Sequence, residues 1–111
     1  MKMKRIPNED VMVLELSGKI MGGPSHEEFK GEIKGILDEG FTKVVLDLKH
    51  VPWINSTGLG ILISGYHSVK AADGIMKVCS VKERVLSIFY ISQLEKIFDV
   101  YETREEAMGS F

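Results

Sequence analysis

Short apolar segments alternate along the chain with longer segments whose apolar residues recur every three or four positions. VMVLEL, residues 11–16, alternates loosely, which predicts a strand with one polar face. Residues 2–6 can pair with it through a turn at residues 7–10. The mostly apolar segment 43–48 is typical of a strand buried on both faces. Two more short strands are predicted at residues 75–79 and 97–100.

The intervening segments have the periodicity and the end signals of helices. Ser25 and Glu28 have the spacing of a capping box, which predicts a helix from Ser25 to about Glu39 with Gly40 at its carboxyl end. The other predicted helices cover residues 56–72, residues 82–91 and a short terminal segment opened by a second capping box at residues 103–106. The predicted inward positions of the two middle helices are Leu59, Leu62, Ile63, Tyr66 and Val69, and then Val85, Leu86 and Phe89.

The order of these elements is β-β-α-β-α-β-α-β-α, and alternation of this kind predicts an α/β fold. We therefore expect a small, mixed, mostly parallel β-sheet flanked by helices. A length of 111 residues suits one domain, spanning residues 1–111.

Composition limits the classes of function. The formal net charge is −2 with 27% charged residues, and there is no long basic run, so nucleic-acid binding is not expected. No apolar run approaches the ~20 residues of a membrane span, and the amino terminus lacks the apolar stretch of a signal peptide. These features predict a cytoplasmic protein without membrane insertion. The single cysteine, Cys79, is expected to be an inert core thiol.

Motifs for catalysis, metal binding or cofactor binding are missing from the sequence. There is no P-loop and no nucleophile elbow, and Gly58-Leu59-Gly60 starts a dinucleotide fingerprint that Ile63 leaves incomplete. The three histidines are scattered, without the spacing of metal ligands. We expect no catalytic residue, no metal and no cofactor, and hence no enzyme. A small enzyme or nucleotide-binding domain is the third hypothesis, supported only by the glycines and the sheet edge.

The segment INSTGLGIL, residues 54–62, contains the most informative chemistry. Asn55 or Ser56 can cap the helix that follows. Gly58 and Gly60 would let neighbouring backbone approach the helix closely. Each also costs about 1 kcal/mol in a helix relative to alanine, which suggests that this surface must stay flat and open. The hydroxyls lie after a parallel strand and at a helix amino terminus, where a phosphate is well tolerated. A phosphate would add about −1.5 to −2 charges to an exposed surface. No base is visible to activate the hydroxyl, which favours a binding switch over a catalytic nucleophile.

Three segments resemble the STAS domain family, which includes the anti-sigma factor antagonists. VVLDLKHVPWINSTGLGILI is similar to the family's central signature, in which Asp-Ser-Ser/Thr-Gly-Leu-Gly leads into a helix. LELSGKI and KVCSVKERVLSIFYISQLEKIFDVYETREEAM are similar to its first strand and its closing region. Two positions depart from the pattern: Asn55 stands for the motif aspartate, and relatives often have Gly-Glu-Leu-Asp where this chain has Gly18-Lys19-Ile20-Met21.

The resemblance implies a partner switch without catalysis. Ser56 would be the phosphorylated residue, with Thr57 as the fallback. The unphosphorylated protein would bind an anti-sigma factor that is also a serine protein kinase, and a PP2C-type phosphatase would reset it. The expected partner-binding residues are Asn55, Ser56, Thr57, Gly58, Leu59 and Gly60. Further contact area is expected from Ile61, Gly65 and part of the second helix, with a core position as the alternative for Ile61.

Two further points stay open at the level of sequence. The alternative function is an unphosphorylated STAS scaffold, or a subunit of a larger signalling or transport complex. A monomer is the simpler expectation for the oligomeric state.

Overall fold

A five-stranded mixed sheet forms the centre of the protein. The structure, a computed structural model, describes all residues from Met1 to Phe111. The strands lie in the order of the chain, with the first pair antiparallel and the other neighbours parallel. They are β1 (Lys2–Asn8), β2 (Val11–Ser17), β3 (Lys43–His50), β4 (Ile75–Cys79) and β5 (Asp99–Tyr101). The predicted mostly parallel sheet is confirmed.

Four helices cover the two faces of the sheet unequally. They are α1 (Ser25–Asp38), α2 (Ser56–Ala71), α3 (Glu83–Ile91) and α4 (Arg104–Gly109), with a 3-10 turn at Leu94–Lys96. The main core of 22 buried residues lies between the sheet and the first three helices. The short α4 packs on the opposite face, over a second cluster made of Val11, Val13, Val45, Cys79 and Ala107. No helix of the protein is long and apolar enough to cross a lipid bilayer.

The predicted polar face of β2 is wrong. Val11 and Val13 are buried on that side because α4 covers it, and Glu15 is partly covered as well. The last strand also starts later than predicted, at Asp99. The amide of Phe98 donates to Leu94 O (2.9 Å), so Phe98 still belongs to the turn before β5.

One of the two predicted capping boxes is wrong and the other has a capping bond. At α1, the N-cap position is Pro24, whose backbone is already helical (φ −58°, ψ −21°), and no side chain caps the helix. The amide of Glu28 donates to Pro24 O, which leaves no capping role for the Ser25 hydroxyl. At α4, Thr103 Oγ1 accepts from the amide of Glu106 (3.1 Å). Gly40 follows α1 with φ +93°, the left-handed conformation expected there.

Cys79 lies at the carboxyl end of β4 and is fully buried, as expected of a core thiol. Burial, together with the nearby Asp47 carboxylate, raises the pKa of Cys79 to about 11. The thiol is therefore protonated at neutral pH.

The amino end of α4 is fastened to the sheet by Arg104. Its Nε donates to Asp47 Oδ2 (2.9 Å) and its Nη2 donates to Glu15 Oε2 (2.6 Å). Asp47 is only 2% exposed, and its other oxygen accepts from the amide of Lys49 (2.9 Å). Burial opposes the charge on Arg104, but the bonds to Asp47 and Glu15 outweigh it and hold the pKa of Arg104 above its ordinary value. This ion-paired cluster joins α4 to β2 and β3.

The chain after α4 is held to the sheet by a second buried cation. Lys77, on β4, is 6% exposed, and its Nζ donates to Ser110 Oγ (2.7 Å) and to Ser110 O (3.0 Å). The same ammonium lies 4.7 Å from the centre of the Phe111 ring. Polar contacts therefore hold both ends of a helix that covers only a small apolar cluster.

Replacement of Arg104 by methionine should lower the free energy of unfolding by about 2 kcal/mol. The reason is that Asp47 would stay buried with one oxygen unpaired. The matched control is Lys34→Met, which removes an exposed pair with Asp38 and should change it by less than about 0.5 kcal/mol. Urea denaturation measures both, and equal effects of the two substitutions would contradict this role of Arg104.

Candidate functional site

The segment that contains Ser56 lies beyond the carboxyl edge of the sheet, as predicted. There it meets the loop that follows β2, and Ile20 pairs with Ile54 in an isolated parallel bridge. The amide of Ile20 donates to Trp53 O (3.3 Å), and the amide of Asn55 donates to Ile20 O (3.3 Å). The parallel pairing of β2 and β3 thus resumes as a short ladder outside the sheet, and α2 starts directly from it.

Asn55 is the residue that caps α2. Its backbone is extended (φ −102°, ψ −179°), and its Oδ1 accepts from the amide of Gly58 (2.7 Å). Its Nδ2 donates to Met21 O (3.1 Å) in the loop after β2. One side chain therefore caps the helix and ties it to the neighbouring loop. The choice left open by the sequence is resolved in favour of Asn55, and Ser56 is the first helical residue.

Gly58 is required for close packing of the helix. A Cβ at this position would overlap the carbonyl oxygen of Ile20 and approach the side chain of Ile54. Gly60, two residues later, is exposed, and a Cβ there would meet open space, with no neighbouring group within 4 Å. The predicted close approach of neighbouring backbone is therefore confirmed at Gly58 and wrong at Gly60, and the alternative that the glycine keeps the surface flat and open is wrong for Gly58.

The expected partner-binding residues divide into an exposed group and a supporting group. Ser56, Thr57 and Gly60 are exposed, and Asn55 is half-buried. Gly58 and Leu59 are buried, Leu59 being 6% exposed, so they support the surface from below.

The further contact area expected from Ile61 and Gly65 is wrong. Ile61 is 1% exposed. A Cβ on Gly65 would overlap the Phe29 ring of α1, which shows how closely α1 and α2 approach each other there. Both residues belong to the packing between the helices and the sheet.

The hydroxyl of Ser56 has no hydrogen-bond partner within the protein. The first backbone amide of α2 that bonds to a protein group is that of Gly58, so those of Ser56 and Thr57 are free. Thr57 differs from Ser56 because its Cγ2 methyl group packs against Gly22, whose φ is +102°. The site thus combines one unengaged hydroxyl with two free amides at a helix amino terminus, an arrangement that suits an anion.

A cleft bordered by Met21, the residue bonded by the Asn55 side chain, was missed from the sequence. It has a volume of about 370 Å³ and is lined by Lys19, Met21, Pro52, Trp53 and Arg84. An alternation of buried and outward residues around Ile20 and Ile54 could have indicated three of these positions, Lys19, Met21 and Trp53. Arg84 comes from α3, and no local signal in the sequence connects it with the loops.

The largest cavity lies elsewhere on the same edge, beside Arg104. Its volume is about 510 Å³ and no apolar side chain lines it. Three carboxylates, from Asp47, Glu102 and Glu105, face it together with the cations Lys49 and Arg104. This balance of charge does not favour an anionic nucleotide.

Comparison with known proteins identifies the family. The family model of the STAS domain matches residues 2–107. The chain belongs to the STAS domain family. This STAS domain is 28% identical over 102 residues to BtrV of Bordetella bronchiseptica, named as a candidate anti-sigma factor antagonist, with 92% of this chain and 88% of BtrV covered. The matched ranges include the whole Ser56 site.

Solved structures have the same fold. The crystal structure of a candidate anti-sigma factor antagonist from Thermotoga maritima superimposes with a TM-score of 0.87 at 25% identity, covering 96% of this chain and 92% of that one. The Bacillus cell fate determinant SpoIIAA in its phosphorylated form has a TM-score of 0.71 at 17% identity, covering 97% of each chain. A sulfate transporter family protein of Wolinella succinogenes has a TM-score of 0.81 at 19% identity, covering 94% and 86%. The last two likenesses show the fold alone.

The two glycines of the motif should respond oppositely to alanine. Gly58→Ala should lower the free energy of unfolding by about 2 kcal/mol or more, because the new methyl group overlaps backbone that cannot move aside freely. Gly60→Ala should leave it unchanged or raise it by up to about 1 kcal/mol. Chemical denaturation of both variants tests this, and a tolerated Gly58→Ala would contradict the packing described here.

Substitutions at the cap should separate Asn55 from Ser56. Asn55→Ala should cost about 1–2 kcal/mol, whereas Ser56→Ala should change the stability by less than about 0.5 kcal/mol. Asn55→Asp keeps the acceptor for Gly58 but places a carboxylate beside Met21 O, so we expect it to be less stable than wild type. Thermal unfolding measures all three, and a large loss in Ser56→Ala would show that its hydroxyl is structural.

Proposed function

We propose that this STAS domain is an anti-sigma factor antagonist gated by phosphorylation of Ser56. When unphosphorylated, it binds an anti-sigma factor that is also a serine protein kinase, and so releases a sigma factor. It works in the cytoplasm as a monomer and has no catalytic activity of its own. The observation that carries this proposal is the exposed Ser56 hydroxyl, which no protein group engages at the amino terminus of α2.

Asn55 makes the structural hydrogen bonds at the start of α2 and the Ser56 hydroxyl makes none, which supports a switch at Ser56. Asn55 provides the cap and the tie to Met21, so the fold does not need the Ser56 hydroxyl. A phosphate on Ser56 would be compatible with the fold, since the free amides of Ser56 and Thr57 and the helix dipole favour negative charge there. Modification would then change the surface and leave the fold intact.

A phosphate would act directly on docking. It adds about −1.5 to −2 charges and considerable volume in the middle of the exposed group formed by Ser56, Thr57 and Gly60. A partner fitted to the bare hydroxyl would meet both bulk and a change of local charge. Release after phosphorylation follows, and a PP2C-type phosphatase would restore binding.

Thr57 is a poorer acceptor of the phosphate than Ser56. Its methyl group packs against Gly22, which restricts the side chain. Ser56 is exposed and its hydroxyl bonds to no protein group, so a kinase can reach it without breaking a bond. We therefore propose Ser56 as the phosphorylated residue and keep Thr57 as the fallback.

The second candidate function is a scaffold that is never phosphorylated. It would bind its partner constitutively, within a signalling assembly or as the soluble part of a transport complex. The observation that favours the scaffold is the presence of Asn55 in place of the motif aspartate. Both polar groups of its side chain form hydrogen bonds within the fold. The two functions differ in how binding responds to charge at position 56.

Binding of the partner should be lost in Ser56→Asp and kept in Ser56→Ala. Affinity capture from the protein's own cells, followed by mass spectrometry, identifies the partner and maps phosphate on Ser56. The matched control is Thr42→Asp, which places the same charge on an exposed residue just before β3, at the other edge of the sheet. It should bind as wild type does.

Two results would count against the switch. Recovery of Ser56 without phosphate, with the same partner on wild type and on Ser56→Asp, would favour the scaffold. Loss of binding in Thr42→Asp as well would mean that added charge acts through general repulsion.

A further inference from the structure

The cleft that Met21 borders is built from residues of the loops after β2 and β3, which form the short ladder, and from Arg84 of α3. Ile20 and Ile54, paired in the bridge, are both 0% exposed. Their neighbours Met21 and Trp53 therefore lie on the outer side, and Met21 is 47% exposed. The exposed methionine, the tryptophan and the proline give the cleft an apolar floor, of a composition found where protein surfaces meet.

Two cations border this floor, and neither has a partner. Lys19 and Arg84 line the cleft, and no acidic residue does. The other two arginines of the chain, Arg5 and Arg104, each bind two carboxylates. Arg84 forms no ion pair and no hydrogen bond with the protein, and the same holds for Lys19. The cleft thus carries a formal charge of about +2 with nothing in the chain to balance it.

From this charge and this floor we infer that the cleft binds an acidic segment of the partner protein, with an apolar side chain placed on Met21 and Trp53 and a carboxylate placed between Lys19 and Arg84. Arginine favours such a contact because its planar guanidinium binds carboxylate in two-point fashion. Trp53 and Met21 are residue types enriched where protein surfaces meet. The inference rests on the proposed function for the identity of the partner, but the chemistry of the cleft does not.

The same charge explains how phosphorylation of Ser56 would release an acidic partner. Ser56 follows Asn55, whose side chain donates to Met21 O in the cleft. A phosphate of about −1.5 to −2 charges placed there offsets the two cations. Attraction of an acidic segment would then vanish, so release needs no rearrangement of the fold.

The fluorescence of Trp53, one of the residues that line the cleft, can measure binding there. Trp53 is the only tryptophan of the chain, so its fluorescence senses occupancy without a label. The probes are two synthetic peptides with the same leucine–phenylalanine centre, one flanked by glutamates and the other by lysines. We expect the glutamate peptide to change the fluorescence saturably, with affinity that falls as ionic strength rises. We expect no saturable change from the lysine peptide.

Charge-reversal variants inside and outside the cleft test whether peptide binding depends on the two cleft cations. Lys19→Glu combined with Arg84→Glu should weaken binding of the glutamate peptide by about tenfold or more at low ionic strength. Lys30→Glu reverses one exposed cation on α1 that does not line the cleft and should stay within about twofold of wild type. Circular dichroism checks that each variant is folded. If the variant with both Lys19→Glu and Arg84→Glu is unfolded, the variant with Lys19→Gln and Arg84→Gln replaces it in the comparison of peptide affinity.

Four results would overturn the inference. The first three are the absence of a saturable response to the glutamate peptide, an equal response to both peptides, and equal losses in the cleft and α1 variants. A response confined to vesicles that contain phosphatidylserine would overturn it in favour of a membrane surface.

The peptide experiment and the Ser56 experiment fail independently. The titration involves no kinase and no phosphate, so its result stands even where no anti-sigma factor is found. Conversely, a partner could fail to bind Ser56→Asp but bind the Lys19 and Arg84 variants as it binds wild type. That result would support the phosphorylation switch and contradict binding of an acidic segment in the cleft.

Discussion

The side chain of Asn55 makes the two hydrogen bonds on which the candidate site depends. One caps α2 through the amide of Gly58, and the other reaches Met21 in the loop after β2. Because these bonds run in different directions, they fix the helix amino terminus relative to the ladder formed by Ile20 and Ile54. The surface that carries Ser56 is therefore a rigid product of packing, although it consists of loop and first helical turn.

Close packing below this surface explains why the Ser56 hydroxyl can be exposed without a hydrogen bond to the protein. Gly58 lets the first turn of α2 lie directly on the backbone of Ile20, and Leu59 is buried behind it. The residues that hold the turn are thus distinct from the residues that face outward. The phosphate proposed on Ser56 would change charge on the outside without removing any bond on the inside.

The opposite face of the sheet is organised by charge rather than by a large core. Arg104 joins α4 to Glu15 and Asp47, and Lys77 holds the chain end through Ser110. These contacts compensate for an apolar cluster of five residues under a six-residue helix. The main apolar core lies between the sheet and the first three helices. Apolar burial therefore stabilises that face of the sheet, whereas ion pairs and hydrogen bonds hold α4 on the other face.

Local patterns in the sequence determined the order of the elements, the mostly parallel sheet, the position of the INSTGLGIL segment at its carboxyl edge, and the cap of α4. Tertiary structure alone decided which residue caps α2, which of the two motif glycines lies against neighbouring backbone, and that α4 buries the second face of β2. It also brought Arg84 next to Lys19 and Trp53. The physical reason is distance along the chain: periodicity and caps act over a few residues, whereas these contacts join segments whose proximity exists only after the sheet has formed.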